Sequence, residues 1–110
     1  MKDDKDLVPI IVDLGVNRKN ELNESWLAMF GGAIEMILGR MFGNVAPRIK
    51  IRGTQREINS FSKAIGGEKK YMDAAIKYGL TDPRTYKNKY ELEKAITNFE
   101  RTTGIKWAFK

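Results

Sequence analysis

Few side chains in this chain are equipped for covalent or acid–base chemistry. It has neither histidine nor cysteine. That excludes the commonest general base and metal ligand, any thiolate nucleophile and any cysteine-held zinc. Ser60 and Ser62 have no histidine to activate them, and "SFSK" (Ser60 to Lys63) is too common a pattern to mark a serine–lysine pair. Carboxylates recur, but no pair stands at a spacing typical of acid–base work, and each reads as a helix cap or a solvated charge. "GNVAPR" and "IRGT" lack the pattern of a phosphate-cradling loop, and "FGGA" lies inside an apolar, helix-like run. The expectation is a non-enzymatic protein with no metal and no cofactor.

Basic and aromatic groups are better represented. The formal net charge is +6, and it is unevenly placed: residues 1–44 carry −2 and residues 45–110 carry +8. If 48–52 is a strand, Arg48, Lys50 and Arg52 share one face. Lys69 and Lys70 open a second basic stretch, continued by Lys77, Arg84, Lys87 and Lys89 and interleaved with Tyr71, Tyr78, Tyr86 and Tyr90. Such a mixture suits phosphate contacts with stacking on bases. Arg48, Lys50, Arg52, Lys69 and Lys70 are therefore expected to be exposed and to face an anionic surface, either nucleic acid or an acidic neighbouring subunit. Two plainer readings stay open: the tyrosines pack at helix edges, and the charge serves solubility. "AAIKYGLTDPRTY" shares Ala75, Gly79 and Thr81 with the helix-turn-helix pattern. It departs from that pattern at Thr85 and Asn88, where apolar residues belong, and at Pro83, which falls early in the second helix.

The elements that must position these residues follow from the pattern. "LVPIIVDLG" (7–15) is β-branched and interrupted by Pro9, as in an edge strand or extended arm. Asn23 is placed to cap a helix running from about Glu24 to about Phe42. "GNVAP" breaks it, and "RIKIR" alternates as a short half-buried strand. Thr54 and Glu57 form a capping-box pattern opening a helix that Gly66-Gly67 interrupt, with a second helix over about 68–78. Gly79-Leu80 fits a left-handed glycine cap followed by a hydrophobic contact. Pro83 opens a helical turn, Asn88 and Glu91 suggest another cap, and a helix over 89–102 stops at Gly104. Phe61, Ile65, Ile76, Leu92, Ile96, Phe99 and Trp107 are expected to form a common core. The fold class expected is α+β, mostly helical, with one or two short strands.

The least polar stretch, "ESWLAMFGGAIEMILGRMFG" (24–43), carries four glycines and one central carboxylate. At about 100° per residue, Ala28, Gly32, Gly39 and Gly43 fall within about 60° of one another, with Glu35 in the same stripe. Each interior glycine costs about 1 kcal/mol of helix propensity against alanine, so the stripe implies a compensating close contact with another backbone. Glu35 and Arg40 interrupt a stretch too short to span a membrane. Trp26, Ala28, Gly32, Glu35, Gly39 and Gly43 are thus the candidate partner-docking residues. The alternative is that the helix is a core element of a self-contained fold. Glu35 is expected to find a cation or a backbone amide as its partner, because an unpaired buried carboxylate is costly.

The capped helix from Thr54, the "YGLTDPRTYKNK" turn and the "FERTTGIKW" ending resemble small uncharacterised proteins of tailed bacteriophages. The resemblance covers about half the chain, excludes the N-terminal half and brings no catalytic or binding motif. It implies a virion or phage-encoded accessory protein. The reading is an N-terminal arm and docking helix (1–43) followed by a basic, mostly helical domain (48–110). The function expected is a structural or assembly component of a large complex, its partners other protein subunits including copies of itself. The alternative is a nucleic-acid-binding accessory protein. "MKDDKDLVPI" is acidic and lacks the features of a signal peptide, so a virion or host-cytoplasm location is expected.

Overall fold

The protein is described here from a computed structural model, which defines residues 9–43 and 48–109. Strand β1 (Ile10–Asp13) is followed by helix α1 (Glu24–Phe42), strand β2 (Ile49–Arg52), helix α2 (Gln55–Tyr78) and helix α3 (Pro83–Thr103). The fold is mostly helical α+β. The strands pair in parallel, with Ile10 opposite Ile49 and Asp13 opposite Arg52. Parallel strands need a crossover rather than a tight turn, and α1 is that crossover.

Local sequence explains where each element begins and ends. The Asn23 side chain accepts from the Trp26 amide at 2.9 Å and caps α1. Thr54 and Glu57 close the expected capping box, with the Thr54 amide donating to Glu57 Oε1 at 2.7 Å. The same oxygen accepts from Arg18 Nη2 at 2.9 Å, which ties the loop after β1 to the start of α2. Gly104, left-handed at φ 75°, ends α3. A side chain there would also collide with Asn17.

Two expected helix breaks are absent. Helix α2 runs unbroken through Gly66-Gly67. Gly67 is the point where α3 comes closest: a Cβ there would lie 3.2 Å from Leu92 Cδ1 and 3.4 Å from its Cα. The glycine serves the packing of two helices rather than a turn. Helix α3 likewise starts at Pro83, capped by Asp82, and not near Asn88. The Asp82 carboxylate accepts from the Arg84 amide and guanidinium, and this pairing holds its carboxyl below the usual range. Phe61 packs with Phe99, Gly67 with Leu92, and the Thr85 hydroxyl donates to the Gly79 carbonyl at 2.7 Å. Helices α2 and α3 therefore lie antiparallel along their lengths as a hairpin. That hydrogen bond is why a polar residue is tolerated at buried Thr85. Gly79 does adopt a positive φ of 88°, but with ψ at 161° it is not the left-handed cap expected, and Leu80 after it is exposed.

One hydrophobic cluster joins all of these elements. Phe30 of α1, Phe61 of α2, Phe99 of α3 and Trp107 of the C-terminal tail meet with ring centroids 5.2 to 6.2 Å apart. Ile10, Val12, Leu14 and Val16 enter the same core from the β1 side. The core thus draws on both sides of the expected 1–43/48–110 boundary, and most of the "GNVAP" hinge lies outside the described residues. Six of the seven expected core residues are buried; Ile76, at 79% exposure, is not. It sits near the tip of the hairpin, where α2 has α3 beside it and no third layer among the described residues. Exposed Leu80 and Tyr86 lie at the same tip.

Candidate functional site

Helix α1 has two unlike faces. Phe30, Ile34, Ile37 and Leu38 turn into the core, with Ala33 and Met41 packed at its margin. The opposite face carries the small-residue stripe. Ala28, Glu35, Gly39 and Gly43 are exposed and Gly32 is half-buried. A Cβ added at Gly32 or Gly39 would meet nothing within 4 Å among the described residues. The close contact that these glycines imply is therefore not made within the described part of the chain. Met29 at 72% and Met36 at 51% exposure project beside them, with Leu27 and Phe42 also exposed. Between this face and the start of β1 lies an apolar groove of about 700 Å³, lined by Pro9, Ile10, Met29, Gly32, Ala33, Glu35, Met36 and Arg40.

Two expected members behave differently. Trp26 is half-buried and turns toward the core, stacked on Phe30 with centroids 5.1 Å apart. It supports α1 from inside and does not join the outer stripe. Glu35 is exposed, so water solvates it and the buried partner expected for it is not required. Met29 and Met36 were not expected as surface residues of this face. Their signal was present: both lie within about 60° of Gly32 on the helical wheel.

The basic residues divide into two groups. On β2, Ile49 and Ile51 turn inward while Arg48, Lys50 and Arg52 are exposed, as the alternation predicts. Their sheet face also carries Ile11 of β1, which is exposed opposite Lys50, and Asp13 opposite Arg52. Asp13 accepts from Lys19 Nζ at 3.0 Å and from the Gly15 amide at 2.9 Å. The Lys19 hydrogen bond above all holds its carboxyl below the usual range. Lys69 and Lys70 lie on α2. Lys70 is exposed, but Lys69 is half-buried, paired with Asp73 at 2.7 Å and set 4.9 Å above the Phe42 ring. Lys69 thus closes the end of α1 rather than extending the β2 patch. Of the tyrosines, Tyr86 and Tyr90 are exposed, whereas Tyr71 packs against the core and Tyr78 lies under Arg84 at 3.6 Å.

A buried carboxylate, Glu68, was also not foreseen. It is 4% exposed and accepts from the Trp107 indole N–H at 2.9 Å; its burial raises its carboxyl above the usual range. Its place in the core and its hydrogen bond to the tail make it a structural link. Among the described residues, no cluster of three or more acidic side chains could hold a metal, and no helix is long and apolar enough to cross a membrane. What the arrangement offers is contact surface: an apolar helix face, and a basic sheet face beyond it. No protein-family model, curated protein or solved structure matches the chain.

Proposed function

We propose that the chain is a non-enzymatic structural or assembly component of a large complex and that it docks on protein neighbours through the outer face of α1. One observation carries this reading. Gly32 and Gly39 weaken the helix, their Cβ positions are open, and exposed Met29 and Met36 flank them. Glycines that cost helix stability, on an apolar face with nothing against it among the described residues, are accounted for by a backbone arriving from a partner. The resemblance of the second half to small tailed-phage proteins supports a virion as the complex. The test is Gly32→Leu in the full chain. Its bulk projects outward, so circular dichroism should stay close to that of the native chain and the melting temperature should not fall, while assembly is lost. Normal assembly of a folded Gly32→Leu chain would overturn the reading.

A second reading has its own observation, the three cations Arg48, Lys50 and Arg52 on one exposed sheet face. They suit phosphate contact in a nucleic-acid-binding accessory protein. Binding to generic DNA that falls steeply as salt rises would support it, because phosphate contacts release counterions. Absence of binding even at low salt would remove it.

A further inference from the structure

We infer that the occupant of the α1 face is the α1 helix of a second copy, laid antiparallel about a two-fold axis level with the peptide between Glu35 and Met36. This rests on the reading of that face as a docking surface, and it adds the partner and the register. The argument comes from how the face is laid out along the helix. Its small residues stand at 28, 32, 39 and 43, so their spacings are four, seven and four. That order is the same read in either direction. In a two-fold pair the same patch is used by both copies, and antiparallel helices about this axis bring position n level with position 71 − n. Gly32 then meets Gly39 of the partner subunit, and Ala28 meets Gly43 of the partner subunit. At the Gly32–Gly39 contact both backbones can approach, since a Cβ at either position would find open space among the described residues.

The large residues fit the same register. Met29 and Phe42 stand near opposite ends of the face and on opposite flanks. Each comes beside a small residue of the other copy: Met29 beside Gly43 of the partner subunit, Phe42 beside Ala28 of the partner subunit. Met36, half-exposed and midway between the glycines, reaches over Gly32 of the partner subunit near the axis. A parallel in-register pair would instead set every residue level with its own copy, and the reversed order of the spacings would have no role. A chemically different partner gives no reason for a layout that reads alike in both directions.

Charge and area set the strength. The face carries Glu35 and Arg40 and is close to neutral, although the chain as a whole is +6. It is not arranged for an acidic partner. Two +6 chains repel at long range, so raising salt should strengthen the pair, opposite to phosphate binding. The helix is about 28 Å long and a single helix face about 10 Å wide. That is a small interface beside the about 800 Å² per partner of a typical stable complex. The pair should therefore form reversibly and rise with concentration.

The chain contains no cysteine, so introduced cysteines report without background. Met36 lies beside the axis, and Met36→Cys should cross-link to itself under mild oxidation. Ala28 of one copy is about 22 Å along the helices from Ala28 of the other, beyond the about 7 Å Cα separation a disulfide allows. Ala28→Cys alone and Gly43→Cys alone should stay uncross-linked, while an equal mixture of the two should give the mixed dimer. Glu35 from both copies comes to the same side of the axis, so Glu35→Gln should raise self-association several-fold in sedimentation. Self-linking of Ala28→Cys as strong as that of Met36→Cys, or no mixed dimer from correctly folded variants, overturns the register. A native chain that stays monomeric at about millimolar concentration overturns the second copy as partner. The docking reading then survives if Gly32→Leu still blocks assembly, and falls with it if that variant assembles normally.

Discussion

Replacing Gly32 and Gly39 together by alanine should make the isolated chain more stable and its assembly weaker. The stabilising part follows from the helix. Glycine is about 0.8–1 kcal/mol less favourable than alanine at an interior position, and neither added methyl meets an atom within 4 Å among the described residues. The two sites are about 10 Å apart along α1 and share no side-chain partner, so their effects should add to about 2 kcal/mol. For a chain of this size each kcal/mol moves the melting temperature by about 4 °C, giving a rise of about 8 °C. The weakening part follows from symmetry. Each substitution occurs twice in a two-fold pair, at the points of closest approach, and overpacking such contacts costs about 1–3 kcal/mol. Association should then fall by about tenfold or more, since 1.4 kcal/mol is one decade. Thermal unfolding of dilute protein reads the first effect, and sedimentation of concentrated protein reads the second. A double variant that melts below the native chain when dilute would show that the glycines serve α1 itself. The inference of an external partner from their cost would then fail.

Three further outcomes test the rest of the structure. Phe99→Ala should cost about 3–5 kcal/mol, most of a small chain's stability, because Phe99 touches the rings of Phe30, Phe61 and Trp107; an unchanged melting temperature would refute the aromatic core. Glu68→Gln keeps an acceptor for Trp107 while removing a buried charge, so it should raise stability at neutral pH. Burial raises the Glu68 carboxyl, so the folded chain holds that proton more tightly than the unfolded one. Glu68 therefore lowers stability as pH rises from the ordinary carboxylate range through its folded value. Urea titrations should find the native and Glu68→Gln chains equal at acid pH and separated above it; equal stability throughout would refute the assignment. Reversing Lys50 and Arg52 to Glu should weaken association with an anionic partner without changing the melting temperature by more than about 2 °C, as both side chains are exposed.

Local signals in the sequence were read most accurately where one or two side chains decide the outcome. Asn23, the Thr54–Glu57 pair and Gly104 each act within a few residues, and each appears in the structure as expected. The inward and outward sides of 49–52 follow from strict alternation. What was not legible depended on distant residues. A glycine pair reads as a break until Leu92 is known to lie against Gly67. Ile76 shares a helical phase with core residues but sits beyond the reach of α1 and the sheet, so its exposure depends on tertiary extent rather than pattern. Trp26 was expected on the docking face, and its turn toward the core depends on Phe30 and its neighbours. The parallel pairing of β1 and β2 was likewise hidden, because four-residue strands separated by a helix carry no mark of which strand they join.

That pairing sharpens the case for α1. As the crossover between two parallel strands it must cover the inner side of the sheet, and Phe30, Ile34, Ile37 and Leu38 do so while joining the hairpin core. Nothing in that duty requires its outer side to be apolar. The hairpin shows what this chain does with a helix face meant for water: the exposed positions of α3 include Arg84, Lys87, Lys89, Glu91, Glu93, Lys94 and Arg101. On α1 the only polar residues among the exposed positions are Glu24, Ser25 and Glu35, and the first two belong to its opening turn. The remainder are Leu27, Ala28, Met29, Met36, Gly39 and Phe42. Both helices belong to one chain of one composition, so the difference between their outer faces reflects position. Substituting Met29 and Met36 by Lys gives α1 the surface that α3 already has. The isolated chain should keep its stability within about 0.5 kcal/mol, as for other surface changes, and should no longer self-associate or assemble. A doubly substituted chain that assembled as well as the native one would show that the outer face of α1 meets only water.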